Sequence, residues 1–299
     1  MKYRPDPLHE WAGVAAAIEQ AADAPFSVEK ATAVGGGCIN RGFHLEGNGQ
    51  AFFVKLNSAA QLPMFEAEAA GLQEIAATGT VRVPRPICTG MDRSQAWIAL
   101  EYLPLASNAR GAMAALGAQL AAMHRVTRQQ FGWTRANTIG STPQINTPGD
   151  DWVEFWRRHR LGYQLDLAAH NGYGDELQDE GAQLLEQLPK FFADYRPAAS
   201  LLHGDLWGGN ASATISGEPV IFDPAVYYGD READLAMTDL FGGFSPDFYR
   251  AYDAAWALDP GYRRRRELYN LYHVLNHLNL FGGGYLAQAH GMIRSLLTA

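Results

Sequence analysis

Close to Glu101-Tyr102-Leu103-Pro104 the chain changes character. Upstream, short apolar runs alternate with turns of Gly, Pro and Asn; downstream, alanine-rich stretches at helical spacing dominate. Strands gathered ahead of helices argue for an α+β fold in two lobes, the first β-rich and the second mainly helical. The expected divisions are an N-terminal lobe at residues 1–100, a hinge at 101–104 and a C-terminal lobe at 105–299. A chain of 299 residues has room for two lobes, and 47% apolar with 19% charged residues supports a sizeable core.

In the first part, residues 8–22 read as a helix with Trp11, Val14, Ala15 and Ile18 at helical spacing. Strands are expected over 26–34, from Phe43 onward and over 51–56, with Gly47-Asn48-Gly49 as a hairpin turn. Residues 63–76 are helical by pattern, and 87–89 and 96–100 supply further strands. In the second part, helices are expected over 110–124, 152–171 and 175–188, then from Arg231, Asp247 and Arg264 onward. Residues 137–150 read as a long polar loop, of a kind that often serves as a lid or binding loop. The aromatic run Trp152, Phe155, Trp156 reads as core.

A net charge of -8 and a pI near 5.6 argue against a nucleic-acid partner. Arg263 to Arg266 form the one basic run, read as a solvated helix start or a salt-bridged face. With Cys38 and Cys88 alone, neither a disulfide framework nor a structural zinc knuckle is on offer. Residues 1–7 lack the apolar core of a signal peptide, and no apolar stretch approaches a membrane span. A soluble cytoplasmic protein is expected.

Leu202-His203-Gly204-Asp205-Leu206-Trp207-Gly208-Gly209-Asn210 lies between two apolar runs, and Ile221-Phe222-Asp223-Pro224 carries a second carboxylate. Asp205 and Asn210 are 5 positions apart, and Asp223 follows 13 later. Phosphoryl transfer onto a hydroxyl needs such a set. One carboxylate accepts or orients the hydroxyl proton, while an amide oxygen and another carboxylate hold Mg²⁺, a cation that prefers oxygen. Asp205 is the expected base, with Asn210 and Asp223 as metal ligands. The block resembles the catalytic loop of the protein kinases, with Gly204 in place of its Arg. His203 reads as a structural brace. Asp234 reads as a tie to the loop backbone, or as a carboxylate favoured by a helix dipole.

Gly35-Gly36-Gly37 lies between two strand candidates, where small residues let backbone N–H groups approach phosphate oxygens. Its spacing departs from the kinase Gly-x-Gly-x-x-Gly form, and a tight turn is the alternative. Lys55, inside an apolar strand, needs a partner; Glu68 on the next helix is the first candidate and Glu66 the second. In kinases such a pair holds the ATP phosphates, the alternative here being an edge lysine that reaches solvent. The linker Glu101-Tyr102-Leu103 would offer its backbone to adenine. The expected nucleotide site is therefore Gly35, Gly36, Gly37, Cys38, Lys55, Glu101 and Leu103. The layout is that of a two-lobe protein-kinase-like fold using ATP and Mg²⁺.

On these residues the chain is similar to the fructosamine kinase (ketosamine-3-kinase) family, a branch of the aminoglycoside phosphotransferase-like kinases. The likeness is carried by His203 to Asn210, by Ile221-Phe222-Asp223-Pro224-Ala225, by Gly35-Gly36-Gly37-Cys38-Ile39 and by Phe53-Val54-Lys55. Gly140-Ser141-Thr142-Pro143-Gln144, Phe241-Gly242-Gly243-Phe244, Leu275-Asn276-His277-Leu278-Asn279 and Phe281-Gly282-Gly283-Gly284-Tyr285 extend it over nearly the whole chain. The resemblance implies ATP-dependent phosphorylation of the 3-hydroxyl of fructosamine or ribulosamine sugars on glycated amines or proteins. Loss of that phosphate then frees the amine, which is protein repair. By position, Trp207 resembles the residue that packs on the sugar, a core Trp being the alternative. Asn276 and His277 are expected in the acceptor pocket. His273 and His277 have helical spacing, but no third metal ligand is evident. Residues 146–150 depart from the family as a longer loop.

Cys38 sits beside the expected phosphate site, where inward N–H groups would lower its thiol pKa. Reversible inhibition by its oxidation is expected, and the family resemblance implies redox-sensitive activity in a monomer or a homodimer linked through Cys38; a small inert residue in a tight turn is the alternative. Two other functions fit parts of the pattern. A phosphotransferase for an aminoglycoside, choline or homoserine is one, although a polycation pocket should carry clustered carboxylates where these helices offer His, Asn and Tyr. A pseudokinase nucleotide-binding regulator is the other, and the retention of Lys55, Glu68, Asp205, Asn210 and Asp223 together argues against it.

Overall fold

The computed structural model describes residues 11–35, 39–106, 108 and 110–298. Two compact units divide the chain: Met1–Ala109 with Ser212–Phe222, and Arg110–Ala211 with Asp223–Ala299.

The first unit is built on five antiparallel strands: β1 (Lys30–Val34), β2 (Arg41–Gly47), β3 (Gln50–Ser58), β4 (Pro86–Met91) and β5 (Gln95–Glu101). Their order is β1-β2-β3-β5-β4. The β2–β3 hairpin turns at Asn48 and Gly49, whose φ of 50° and 72° are the left-handed pair that a tight primed turn requires. Alternation along β3 sends Phe52, Val54 and Leu56 to one face. There they share a core with Trp97, Ala99 and the Trp11, Val14 and Ile18 side chains at helix α1 (Ala12–Ala22). Phe53 and Lys55 take the opposite face. Helix α2 (Leu62–Ala77) buries Phe65, Glu68, Leu72 and Ile75. The strand expected from residue 26 begins only at Lys30, opposite Glu46, because β2 ends at Gly47 and cannot pair further. Residues 212–222 add a small hairpin of Ala211–Ala213 and Pro219–Ile221 (β10 and β11 in chain order), in which the Ile221 N–H donates to the Arg82 carbonyl at 3.0 Å.

The second unit is mostly helical: α3 (Met113–His124), α4 (Trp152–Trp156), α5 (Tyr163–His170), α6 (Glu176–Gln187), α7 (Glu232–Leu240), α8 (Pro246–Ala255), α9 (Tyr262–Phe281) and α10 (Leu286–Thr298). Strands β6 (Thr127–Arg128), β9 (Ala199–Leu202) and β12 (Tyr227–Gly229) form a sheet in the order β12-β9-β6. Helices α3 and α8 approach closely because Gly117 has no side chain; a Cβ there would sit 2.2 Å from the Phe248 carbonyl oxygen.

Three sequence expectations change. The polar segment 137–150 is a packed hairpin, β7 (Asn137–Ile139) against β8 (Thr142–Gln144), with Thr142, Gln144 and Asn146 buried. Its polar side chains satisfy one another and nearby backbone: Gln144 donates to Asn137 Oδ1 at 2.8 Å and to the Ala225 carbonyl at 3.1 Å. The helix expected over 152–171 is α4 and α5 joined by a π turn at Arg157–Gly162. The extra residue turns Arg160 inward, where it lies 4.0 Å from the Tyr227 ring centroid and donates to the Ile145 carbonyl at 2.8 Å. Within the basic run, Arg265 is buried rather than solvated, forked onto Glu232 at 2.7 and 3.0 Å and joined to Asp259 at 2.6 Å. Arg266 pairs with Asp239 at 2.8 Å, so the salt-bridged reading holds.

Candidate active site

Strand β9 is buried throughout and delivers the chain into His203. The next two N–H groups lack strand partners, and Asp234 at the start of α7 takes both. His203 N–H donates to Asp234 Oδ2 at 2.7 Å and Gly204 N–H to Oδ1 at 2.8 Å. His124 Nε2–H donates to the same carboxylate at 3.1 Å, while its Nδ1 accepts from the Tyr252 hydroxyl at 2.8 Å. Arg231 in turn donates to the Tyr252 oxygen at 3.1 Å. Burial opposes the charge of Asp234, yet the bonds from His124 and Gly204 hold its carboxyl below the usual carboxylate range. The loop backbone is thus pinned to one buried anion. His203 adds a second brace, its Nδ1 accepting from the Asp205 N–H at 3.2 Å.

Gly204 occupies the position of the kinase Arg for a steric reason. Its φ is +83°, and a Cβ would lie 2.1 Å from the Ala225 carbonyl oxygen. Asp205 is half-buried. Asn210 donates to its carbonyl at 2.9 Å and to its Oδ2 at 3.3 Å, which leaves the Asn210 amide oxygen directed elsewhere. Burial, then the charges of Asp223 and Asp234, push the Asp205 pKa up to about 7, against the lowering effect of Asn210. Asp223 is exposed and sits at φ +58°, a strained conformation for a residue with a side chain. Asp223 is near enough for its charge to raise the Asp205 pKa, and two neighbouring carboxylates carry an excess of negative charge that suits a hard divalent cation.

In the first unit Lys55 meets Glu68 at 2.7 Å, both side chains more than nine-tenths buried. Glu66, the second candidate, lies on the exposed side of α2. Breaking such a buried pair leaves an uncompensated charge and costs roughly 3–5 kcal/mol. Gly35 is exposed with open space where a Cβ would stand. Gly36, Gly37 and Cys38 lie outside the described residues. Cys88 is half-buried, and burial pushes its thiol up to about 11, which keeps it inert. Glu101 closes β5: its N–H donates to the Arg85 carbonyl at 2.9 Å, and its carboxylate accepts from Arg82 and from the Arg85 N–H at 3.1 Å. Leu103 follows, half-buried in an irregular segment.

Trp207 is half-buried, and its indole lies where a side chain on Gly209 would stand, 2.3 Å from a Cβ there. Its ring meets Phe241 edge-on at 6.3 Å. His277 is half-buried on α9, and its Nδ1–H donates to the His273 carbonyl at 2.8 Å. Asn276, one residue earlier, is buried. It accepts from Gln164 at 3.2 Å and donates to the Ile139 carbonyl at 3.4 Å, so its amide joins α9 to α5 and the β7–β8 hairpin. Among the described residues no group of three or more His, Cys, Asp or Glu gathers as a metal site. Sequence reasoning missed His124, Tyr252 and Arg231, which stand far from the loop in the chain and carry no local signal.

A five-stranded sheet with a buried Lys–Glu pair, and a helical unit with a braced His-Gly-Asp loop, define a protein-kinase-like phosphotransferase. The chain belongs to the fructosamine kinase family, whose model matches residues 10–299. It is 46% identical over 288 residues to a Synechocystis protein named probable ketoamine kinase slr1563, covering 96% of this chain and 97% of that one. It is 43% identical to the chloroplastic protein-ribulosamine 3-kinase of Arabidopsis thaliana over 98% of this chain and 88% of that one. A Haemophilus somnus crystal structure assigned as a fructosamine-3-kinase superposes with a TM-score of 0.89 at 25% identity, covering 98% of this chain and 100% of that one.

Proposed function

We propose that this protein transfers the γ-phosphoryl group of ATP to the 3-hydroxyl of ketoamine sugars, of fructosamine or ribulosamine type, on glycated amines or proteins. Asp205 supports this most: a carboxylate held by Asn210 and a pinned backbone, with its pKa raised toward neutrality, is suited to orient and accept a hydroxyl proton. Asn210 and Asp223 would hold Mg²⁺, which when bound neutralises phosphate charge. Lys55, fixed by Glu68, would place a cation on the nucleotide phosphates, and the backbone of the glycine loop at Gly35, Gly36, Gly37 and Cys38 would add N–H donors. Glu101 and Leu103 would face adenine through backbone groups only, since the Glu101 carboxylate and N–H are already engaged.

The consequence of phosphorylation follows from ketoamine chemistry. In the enaminol tautomer the nitrogen lone pair conjugates through the first two carbons to the third, so a 3-phosphate is an allylic leaving group. Its departure leaves an imine, which water hydrolyses to the free amine. Among the described residues no helix is long and apolar enough to cross a membrane; a cytoplasmic location belongs to the same proposal.

A kinase assay offering ribulosyl-lysine, fructosyl-lysine and kanamycin side by side tests this reading. Turnover of either ketoamine with none of kanamycin is expected. Turnover of kanamycin alone would move the protein to the aminoglycoside branch, and ATP binding without any transfer would make it a nucleotide-binding regulator.

A further inference from the structure

Two helices of the second unit end in glycine, and each leaves an aromatic ring exposed. Helix α7 stops before Phe241, with Gly242 and Gly243 following at φ 99° and 69°. Helix α9 stops at Phe281, and Gly282 at φ 93° turns the chain into a single 3-10 turn, Gly283–Tyr285, that folds Tyr285 back. Residues with a Cβ rarely take these conformations, so glycine at 242, 243 and 282 is what this geometry demands.

The outcome is that three rings converge on one imidazole. Phe241, Phe281 and Tyr285 lie 4.8, 5.4 and 5.2 Å from His277, centroid to centroid, and Trp207 extends the set through its contact with Phe241. Phe241 is 36% and Phe281 51% exposed, so neither ring is there to fill the core. His277 adds no positive charge near neutral pH, because burial lowers its pKa against the raising effect of its bond to His273. Elsewhere in the unit arginines cover aromatic faces, Arg160 over Tyr227, Arg231 over Trp256 and Arg265 over Tyr195. Among the described residues no arginine lies over Trp207, Phe241, Phe281 or Tyr285. Phe241 and Phe281 are the rings of this set with exposed area to offer a cation from outside.

We propose that Trp207, Phe241, Phe281 and Tyr285 form an aromatic box whose centre is filled by His277 and whose solvent-facing side binds the secondary ammonium of a ketoamine, together with its aliphatic stem. This rests on the ketoamine reading above. In such an acceptor three carbons separate the ammonium nitrogen from the 3-oxygen, so a 3-hydroxyl at Asp205 brings the nitrogen within about 5 Å of that oxygen. Trp207 stands two positions beyond Asp205 on the same loop, and leads from there to Phe241 and Phe281. Ring quadrupoles attract a desolvated ammonium, and methylene groups pack on the exposed ring of Phe281. A neutral sugar gains neither the charge attraction nor the stem contact.

Steady-state kinetics with fructosyl-lysine and with a 1-O-alkyl fructose ether of matching stem, lacking the charge, tests the box. The ether is read as a substrate or, if not turned over, as a competitive inhibitor. Phe281→Leu and Phe241→Leu keep apolar bulk at exposed positions, so folding is not at stake. Each is expected to raise KM for fructosyl-lysine ~3–10-fold with little change in kcat or in KM for ATP, and to raise the ether constant by less, since the ether loses only part of its stem contact. An equal rise for both acceptors, or no rise for either, overturns the box while wild-type turnover of fructosyl-lysine preserves the ketoamine reading. Wild-type enzyme that phosphorylates no ketoamine overturns both.

Discussion

Around Asp205 every support is buried, whereas around His277 the rings stand partly in solvent. Asp234 ties down the His203 and Gly204 backbone, and His124, Tyr252 and Arg231 hold Asp234 from behind. These groups are nearly inaccessible, with His124 and His203 at 0% exposure and Asp234 at 1%. The rings of Phe241 and Phe281 are instead set out on glycine-broken helix ends. The two regions belong to the same unit, and on the proposed reading they divide the work that a group-transfer site requires. Reacting groups need fixed geometry, which buried hydrogen bonds supply; an acceptor with a flexible stem needs contact area, which exposed rings supply.

The sharpest way to break this contrast is to cut the buried anchor. Asp234→Ala leaves two backbone N–H groups and His124 without their acceptor inside the unit. A loss of about 3–5 kcal/mol in a urea titration is expected, together with loss of turnover. Stability within 1 kcal/mol of wild type, by the ~1 kcal/mol scale of a single exposed bond, would show that the loop does not depend on Asp234. Removing an exposed ring should do the opposite. Phe281→Leu is expected to change KM and leave the urea midpoint in place.

The smallest effect concerns the two histidines of α9. His273 is buried, and burial first, then the neighbouring His277, lowers its pKa to about 3. The unfolded chain binds a proton there near pH 6.5 while the folded chain does not, so this residue's contribution to stability falls as pH drops from about 6.5 toward 3. His273→Gln should therefore lose less unfolding midpoint between about pH 7 and pH 5 than wild type does. An identical pH slope in the two proteins would contradict a buried neutral imidazole at this position.

Much of this was legible in the chain, and what was not has physical causes. The Asn48-Gly49 turn, the apolar strand around Lys55 and the pattern of α2 are local signals, and each appears in the structure. Proximity of Lys55 to Glu68 followed from a charge in an apolar strand needing a partner. The β7–β8 hairpin escaped because its strands are three residues long, too short for alternation to register, and polar. The π turn at Arg157–Gly162 escaped because helical spacing does not reveal one inserted residue. Arg265 escaped because a basic run looks solvated until Glu232 and Asp259 arrive from elsewhere in the chain. The aromatic cluster is the clearest case. Its glycine segments stand out in sequence, yet only folding brings Phe241 and Phe281 to one histidine.

Phosphorus NMR of fructosyl-lysine incubated with ATP and Mg²⁺ tests most directly whether Asp205 drives transfer onto a ketoamine. Wild-type enzyme is predicted to form a phosphomonoester coupled to the proton on the third sugar carbon. Asp205→Asn should slow its appearance by roughly 10²–10⁴-fold while ATP binding persists. A 3-phosphate formed by Asp205→Asn at a rate near that of wild type, or no phosphorylated ketoamine from wild type at all, would contradict the account.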